Sequence, residues 1–426
     1  MAKNKLKQKL SFSQIITKFA QFIYLSISNG TDNILWESAS SCSFGFIFSF
    51  IPVVLIIFTI LASILKVSPG MHQYILDFCN QIKNIYDFTP LLENLLKIQK
   101  ISFIDIFLGI WVVWMARKLF LSVVQGMYRI FRSASKRKNA FNQVLTFISE
   151  FVIVITFIVV VLFTFLFDKM LQLPMFNFIT NAFPHLFNMN SNILVSGVTY
   201  LLFFIFTLYC YKFVSGTNPK WRICIFYSFC STAVTFVISF FLNKFMNLSN
   251  YNTIYGTIST VIILLFKVYL FFVVFLFCAQ MIYVSQYFEN LIIAQIYIIK
   301  DLNRSDFEKK VCSYLFKNPS LHHTKTHILI VPEEQTIFGV GDKADKIYYI
   351  RKGTVIENKG DIIITHSEGE IFGEIPCILD KDRNTTAFAK TDCEFMVIEA
   401  DKFLEIVKQN PFVSAKALSK INIFSK

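Results

Sequence analysis

Apolar residues follow two different patterns along this chain. Before residue 287 they form long unbroken runs with little polar punctuation. From Ile328 onward they come in short groups, Ile-Leu-Ile-Val, Ile-Tyr-Tyr-Ile, Thr-Val-Ile-Glu, Asp-Ile-Ile-Ile-Thr and Phe-Met-Val-Ile, with glycines between them. Six of the long runs, roughly 40–65, 101–125, 147–167, 193–214, 222–245 and 257–286, can each cross a hydrocarbon core of about 30 Å. The short groups are spaced like the strands of a β-roll or barrel. The expected fold is therefore an α-helical multi-span membrane bundle of six helices, followed by a soluble α+β domain built on a β-roll.

Four segments follow. Residues 1–30 carry Lys on one side and Leu10, Ile15, Ile16, Phe19, Phe22 and Ile23 at near-helical spacing, the pattern of an amphipathic helix lying on an anionic leaflet, with a solvated tail holding a few apolar residues as the plainer alternative. Residues 31–286 form the membrane domain, 287–320 a mixed, polar helical linker, and 321–426 the roll, closed by one or two helices from Asp401 to Ile421. The 66–100 connection has apolar residues at helical spacing and reads as amphipathic helix outside the bilayer.

Charge sharpens the division. Residues 1–286 hold 22 basic and 8 acidic residues, and 287–426 hold 19 and 20. Charged residues make up 16% of the chain, against about 25% in ordinary globular proteins. The basic excess clusters before residue 30, at 126–146 and at 212–222, whereas 168–192 and 246–256 are nearly free of it. This alternation puts both termini in the cytoplasm. The soluble half has no basic stripe, so nucleic acid is not expected as a partner. The first residues lack the apolar core of a cleaved signal. Nine scattered cysteines include no CxxC, and GxSxG, P-loop and HExxH motifs are absent, so neither a metal centre nor an enzyme is expected. His322, His323 and His327 read as a solvated loop.

The most specific chemistry lies at 372–387, Phe-Gly-Glu-Ile-Pro-Cys-Ile-Leu-Asp-Lys-Asp-Arg-Asn-Thr-Thr-Ala, preceded by Gly-Asp-x-Ala-Asp-x-x-Tyr-Tyr-Ile-x-x-Gly from Gly341 to Gly353. Over about residues 320–420 the chain resembles the cyclic nucleotide-binding domain family. The spacing from Phe372 to Arg383 fits that family's phosphate-binding cassette without a gap. The resemblance implies a cytosolic ligand, cyclic AMP or cyclic GMP, bound by Phe372, Gly373, Glu374, Ile375, Arg383, Asn384 and Thr385. Arg383 would pair with the cyclic phosphate, Glu374 would accept from the ribose 2′-OH, and backbone N–H groups near Ile375 and of Asn384 or Thr385 would complete the cradle. Two residues depart from the family: Pro376, which has no N–H to offer, and Asn384, where Ala or Thr is usual. The helix that often lids the base is short. A degenerate roll, with Arg383 and Glu374 as a structural ion pair, stays open as the alternative.

The membrane half has a resemblance of its own. Residues 34–62 contain Phe-Ser-x-x-Pro, ending at Pro52, and residues 251–256 read Tyr-Asn-Thr-Ile-Tyr-Gly, ending at Tyr255 and Gly256. With six spans, residues 30–286 resemble the YihY/BrkB membrane protein family, once mislabelled ribonuclease BN. The resemblance implies a bacterial inner-membrane location and a fold more than a function. Lys267 lies about ten residues, or about 15 Å, into the last span. A charge at that depth is costly and marks a functional candidate, with Asp105 and Glu150 as partners; a neutral or snorkelling Lys in a packed interior is the plainer alternative. Pro52 is expected to kink the first span.

Two functions fit. One is a membrane protein, in transport or envelope upkeep, regulated by the cytosolic roll through 287–320. The other is a constitutive scaffold whose roll has become a protein-interaction module. The lipid bilayer is a partner in both, and self-association is left open.

Overall fold

The structure, a computed structural model, describes residues 12–32, 34–48, 121–131, 191–245, 257–299, 306–316, 328–360 and 362–424. The chain divides into two compact units, Met1–Ser28 with Val284–Lys426, and Asn29–Tyr283.

In the second unit, most of the described residues are helical, because an apolar segment keeps its backbone hydrogen bonds to itself. The helices are α2 (35–48), α3 (121–131), α4 (Ser191–Tyr209), α5 (Trp221–Phe245) and the first part of α6 (Thr257–Ile298). α5 and α6 contain stretches, Trp221–Leu242 and Ile262–Ile298, long and apolar enough to cross a membrane. The fourth, fifth and sixth expected spans thus fall on α4 to α6. The first two are described only in part. The third, the 66–100 connection, Pro52, Asp105, Glu150, Tyr255, Gly256 and the three histidines lie outside the described residues.

Close packing here uses small residues. A Cβ on Gly126 of α3 would stand 3.3 Å from Leu276 and 3.8 Å from the Cβ of Ser38, the kind of approach small residues allow between apolar helices. α4 widens into a π-helix at Cys210–Val214. Its Tyr211 is fully buried, stacks on Phe275 at 5.1 Å and donates its hydroxyl to the Phe275 carbonyl at 2.8 Å. Lys267 is half-buried in α6.

In the first unit, α1 (Phe12–Asp32) packs on α7 (Asp306–Phe316). Gln21 Nε2 donates to the Leu315 carbonyl at 2.7 Å, the Cys312 thiol meets the Tyr24 hydroxyl at 2.7 Å, and Tyr24 lies edge-on to Phe316. Ile15, Ile16, Phe19, Ile23 and Ile27 remain exposed along one stripe of α1. Among the described residues of 287–320, α6 continues to Ile298 with a non-helical step at Tyr287 (φ −114°, ψ 22°), and α7 follows.

The roll alternates inward and outward residues on eight described strands. They are β1 (Ile328–Val331), β2 (Thr336–Phe338), β3 (Lys346–Lys352), β4 (Val355–Lys359), β5 (Ile362–His366), β6 (Ile371–Phe372), β7 (Thr386–Ala389) and β8 (Cys393–Glu399). They pair antiparallel into two four-stranded sheets, β1-β8-β3-β6 and β2-β7-β4-β5. Phe338, Tyr348, Phe372 and Phe395 meet between the sheets, ring centroids 5.4 to 6.1 Å apart, with Ile350, Val355 and Ala387 around them. The short helix α8 (Glu374–Leu379) sits between β6 and β7. After β8 come α9 (Ala400–Gln409) and α10 (Pro411–Phe424).

Gly353 closes the β3–β4 turn with φ +97°. A Cβ there would stand 2.6 Å from the Asp392 carbonyl oxygen and 2.6 Å from Cys393 Sγ, so only Gly fits.

Candidate functional site

The cassette is built where β6 ends. Phe372 and Ile371 pair with Tyr348 and Tyr349 of β3. Gly373 then turns the chain with φ +75° into α8. Pro376 lies in the first turn of α8, where a missing N–H breaks no intrahelical bond. The chain leaves α8 through Asp380, also at positive φ, and returns to β7 by way of Arg383. The turn at Gly341–Asp342 holds that return: Arg383 N donates to the Asp342 carbonyl and Gly341 N to the Arg383 carbonyl, both at 2.8 Å. The Gly-Asp of the upstream motif is therefore the clamp on the arginine.

The Arg383 side chain is buried, 3% exposed. One terminal nitrogen donates to the Gly373 carbonyl at 2.5 Å and the other to the Lys346 carbonyl. The guanidinium lies over the Phe338 ring, 4.2 Å from its centroid, a cation–π contact. The Cys377 thiol reaches the same two carbonyls at 3.4 and 3.6 Å; burial raises its pKa, which favours the protonated donor. A Cβ on Gly373 would meet Arg383 Nη1 at 2.8 Å. Gly373 and Arg383 are thus matched by contact as well as by motif. Arg383 Nε is buried without an acceptor.

In front of this arrangement is a cavity of about 380 Å³. Small-molecule sites run roughly 300–1,000 Å³. Phe372, Gly373, Glu374, Ile375, Pro376 and Asn384 line it. Glu374 is 2% exposed, and its Oε1 accepts from Lys420 of α10 at 2.5 Å and from the Tyr297 hydroxyl of α6 at 3.3 Å. Lys416, one turn earlier on α10, donates to the Tyr297 carbonyl at 2.6 Å. The ion-pair partner of Glu374 is therefore Lys420, and the Glu374–Arg383 ion pair of the degenerate-roll alternative does not form; each side chain has its own anchorage.

A second buried acid lines the cavity. Glu357 of β4 accepts from the Thr385 hydroxyl at 2.6 Å and contacts His366 Nε2 of β5 at 2.8 Å. The His366 ring stacks on Phe372, 5.3 Å between centroids, and its Nδ1 is 3.6 Å from Glu370. Burial works to raise the Glu357 pKa. The hydrogen bonds from His366 and Thr385 and the positive charges of His366 and Arg383 outweigh it, and the pKa is lowered.

Of the seven residues assigned to the ligand by resemblance, Phe372, Gly373, Glu374, Ile375 and Asn384 line the cavity. Arg383 lies behind it against carbonyls, and Thr385 behind it against Glu357. Sequence reasoning missed Tyr297, Lys416, Lys420, Glu357 and His366. Glu357 had a legible signal: strand alternation puts it on the face of Val355, which points inward.

Two family models match the chain. That of the virulence factor BrkB family covers residues 27–291, and that of the cyclic nucleotide-binding domain covers 329–410. Curated relatives match the roll alone. The cAMP-activated global transcriptional regulator CRP of Salmonella typhimurium is 30% identical over 102 residues, 22% of this chain and 49% of the relative. CRP of Pasteurella multocida is 33% identical over 92 residues, 20% of this chain and 44% of the relative. The chain thus spans about half the length of the curated relatives it matches. Among solved structures, EAL enzyme Bd1971 with cAMP and cyclic-di-GMP bound is 31% identical over 20% of this chain and 23% of that one, with a TM-score of 0.18. Thermus thermophilus catabolite activator protein is 23% identical over 24% and 49%, with a TM-score of 0.21.

Proposed function

The chain belongs to the virulence factor BrkB family and carries a cyclic nucleotide-binding domain, and on that premise we propose that it is a multi-pass protein of the bacterial inner membrane, both termini cytoplasmic, regulated by cyclic AMP or cyclic GMP at its roll. The membrane domain serves transport or envelope upkeep and performs no catalytic step. The observation that carries this reading is the cavity of about 380 Å³ walled by the cassette, with the Glu374 carboxylate in its wall and the buried guanidinium of Arg383, one N–H unused, behind Gly373. Glu374 takes the ribose hydroxyl, and Arg383 turns from its carbonyls to the phosphate. Lys267, Pro52, Tyr255 and Gly256 are the candidates for the membrane domain's own work.

Regulation requires that ligand favour one state of the protein by about 1–3 kcal/mol. Tyr297 supplies a route. It ends α6, the helix that contains the proposed sixth span, and its hydroxyl is bonded to Glu374. A ribose hydroxyl on Glu374 competes for that acceptor, and α6 loses a tether when ligand binds.

The test is calorimetric titration of the full-length chain in nanodiscs with cyclic AMP and cyclic GMP. Saturable binding that Glu374→Gln weakens supports the reading; no heat from either nucleotide at millimolar concentration rejects it. One observation favours the scaffold alternative: Glu374 and the Arg383 terminal nitrogens already have partners within the chain. Unchanged function in cells carrying Arg383→Ala would support that alternative.

A further inference from the structure

The cavity has polar groups that a sugar and a phosphate do not use. With those placed against Gly373–Ile375 and Asn384, the polar wall left for the rest of the ligand is Glu357, Thr365, His366 and Glu370, on β4, β5 and the turn after them, with Tyr297, Lys416 and Lys420 of α6 and α10 also lining the cavity. Among them Glu357 is 5% exposed and lies in the strand interior. An ionised carboxylate only accepts hydrogen bonds, and it has about four lone-pair sites. Thr385 fills one at 2.6 Å and His366 another at 2.8 Å. Both contacts also fix the carboxylate in place, because Thr385 is buried, 1% exposed, and His366 is stacked on Phe372.

Resting on the reading above, we propose that Glu357 is the base-reading residue of this site and selects a guanine over an adenine cyclic nucleotide. The chemistry of the two bases decides the direction. Guanine presents two donors side by side, the N1–H and the exocyclic 2-amino group, which suit the two open sides of a fixed carboxylate. Adenine has one amino group, and on either edge a ring-nitrogen acceptor stands beside it. That acceptor would face the carboxylate lone pairs, with both groups desolvated and unsatisfied. A site built to bond a donor discriminates strongly against the analogue that lacks it. His366 and Thr385 act as positioning residues for Glu357.

The experiment uses the full-length chain in nanodiscs, titrated separately with cyclic GMP, cyclic IMP and cyclic AMP. Cyclic IMP keeps the N1–H and lacks the 2-amino group. The expected order is cyclic GMP, then cyclic IMP, then cyclic AMP, with at least about a tenfold difference between the first and last. Glu357→Gln, nearly the same size, is expected to bring cyclic GMP and cyclic AMP close to parity while binding persists. Equal or tighter binding of cyclic AMP by the unsubstituted chain overturns the proposal and leaves the sensor reading standing. A cyclic GMP preference that survives Glu357→Gln also overturns it. Binding of none of the three removes the sensor reading itself, and this proposal with it. The nucleotide series needs no substitution, so equal or tighter binding of cyclic AMP overturns the proposal even if Glu357→Gln folds poorly.

Discussion

The two units use phenylalanine in opposite ways. In the roll, Phe338, Phe372, Phe395 and Phe403 are at most 5% exposed and pack ring on ring. On α5, Phe226, Phe229, Phe236, Phe240 and Phe241 are each at least 50% exposed. The residue is the same, so its surroundings differ: water excludes the roll's rings into a core, while hydrocarbon would leave the α5 rings nothing to gain by turning inward. Buried polar groups follow the same division. In the roll they pair across distant segments, as Lys420 with Glu374. On α5 the hydroxyls of Thr232 and Thr235 return to carbonyls of their own helix, at Ser228 and Ser231.

The largest effect should come from truncating one ring on each side of this comparison. Phe395→Ala leaves a cavity in the roll and should cost about 3–5 kcal/mol, read as a lower unfolding midpoint for that transition. Phe229→Ala on α5 should change thermal unfolding in nanodiscs very little if α5 crosses the bilayer as proposed, because the ring it removes is 66% exposed. A loss at Phe229 as large as that at Phe395 would mean that α5 packs against protein there, and the contrast would fail.

A second, smaller effect concerns the polar pairs. Lys420→Met strands a carboxylate that is 2% exposed. The cost should be about 1–2 kcal/mol, below that of a fully buried pair because the Lys420 side chain is 29% exposed. Thr235→Val, by contrast, removes a bond that a helix can forgo and should be close to neutral. Denaturant unfolding of Lys420→Met, set beside thermal unfolding of Thr235→Val in nanodiscs, measures the two. Equal losses would dissolve the distinction between long-range and local polar pairing.

What could be read from the sequence follows from the same division. The expected strand segments from Ile328 to Ile398 fall on β1, β3, β4, β5 and β8, because alternation is a local signal. The cassette was legible because Gly373, Glu374 and Arg383 lie within ten residues. Lys420 and Tyr297 were not, since they stand 46 and 77 residues from Glu374 and have no motif of their own. Motif spacing singled out Arg383 but cannot say that, in the described structure, its nitrogens rest on the Gly373 and Lys346 carbonyls.

The smallest predicted effect is a pH dependence confined to the roll. The Glu357 pKa is lowered from an ordinary value of 4.5: burial acts to raise it, but His366, Thr385 and Arg383 favour the charged form more. A carboxylate whose folded pKa lies below its unfolded one adds stability that is fully present above the unfolded pKa and is lost as pH falls through the folded one. The roll should therefore lose stability below about pH 4.5, and Glu357→Gln should remove part of that slope by lowering the neutral-pH midpoint more than the acid one. Unfolding midpoints of both chains in nanodiscs, taken from pH 7 down to pH 3, give the comparison. On α5 the hydroxyls of Thr232 and Thr235 do not titrate in this range, so no matching slope is expected from them. A Glu357→Gln chain whose acid slope equals that of the unsubstituted protein would mean that the acid gains nothing from its three partners, and that its place in the cavity wall must be explained by ligand alone.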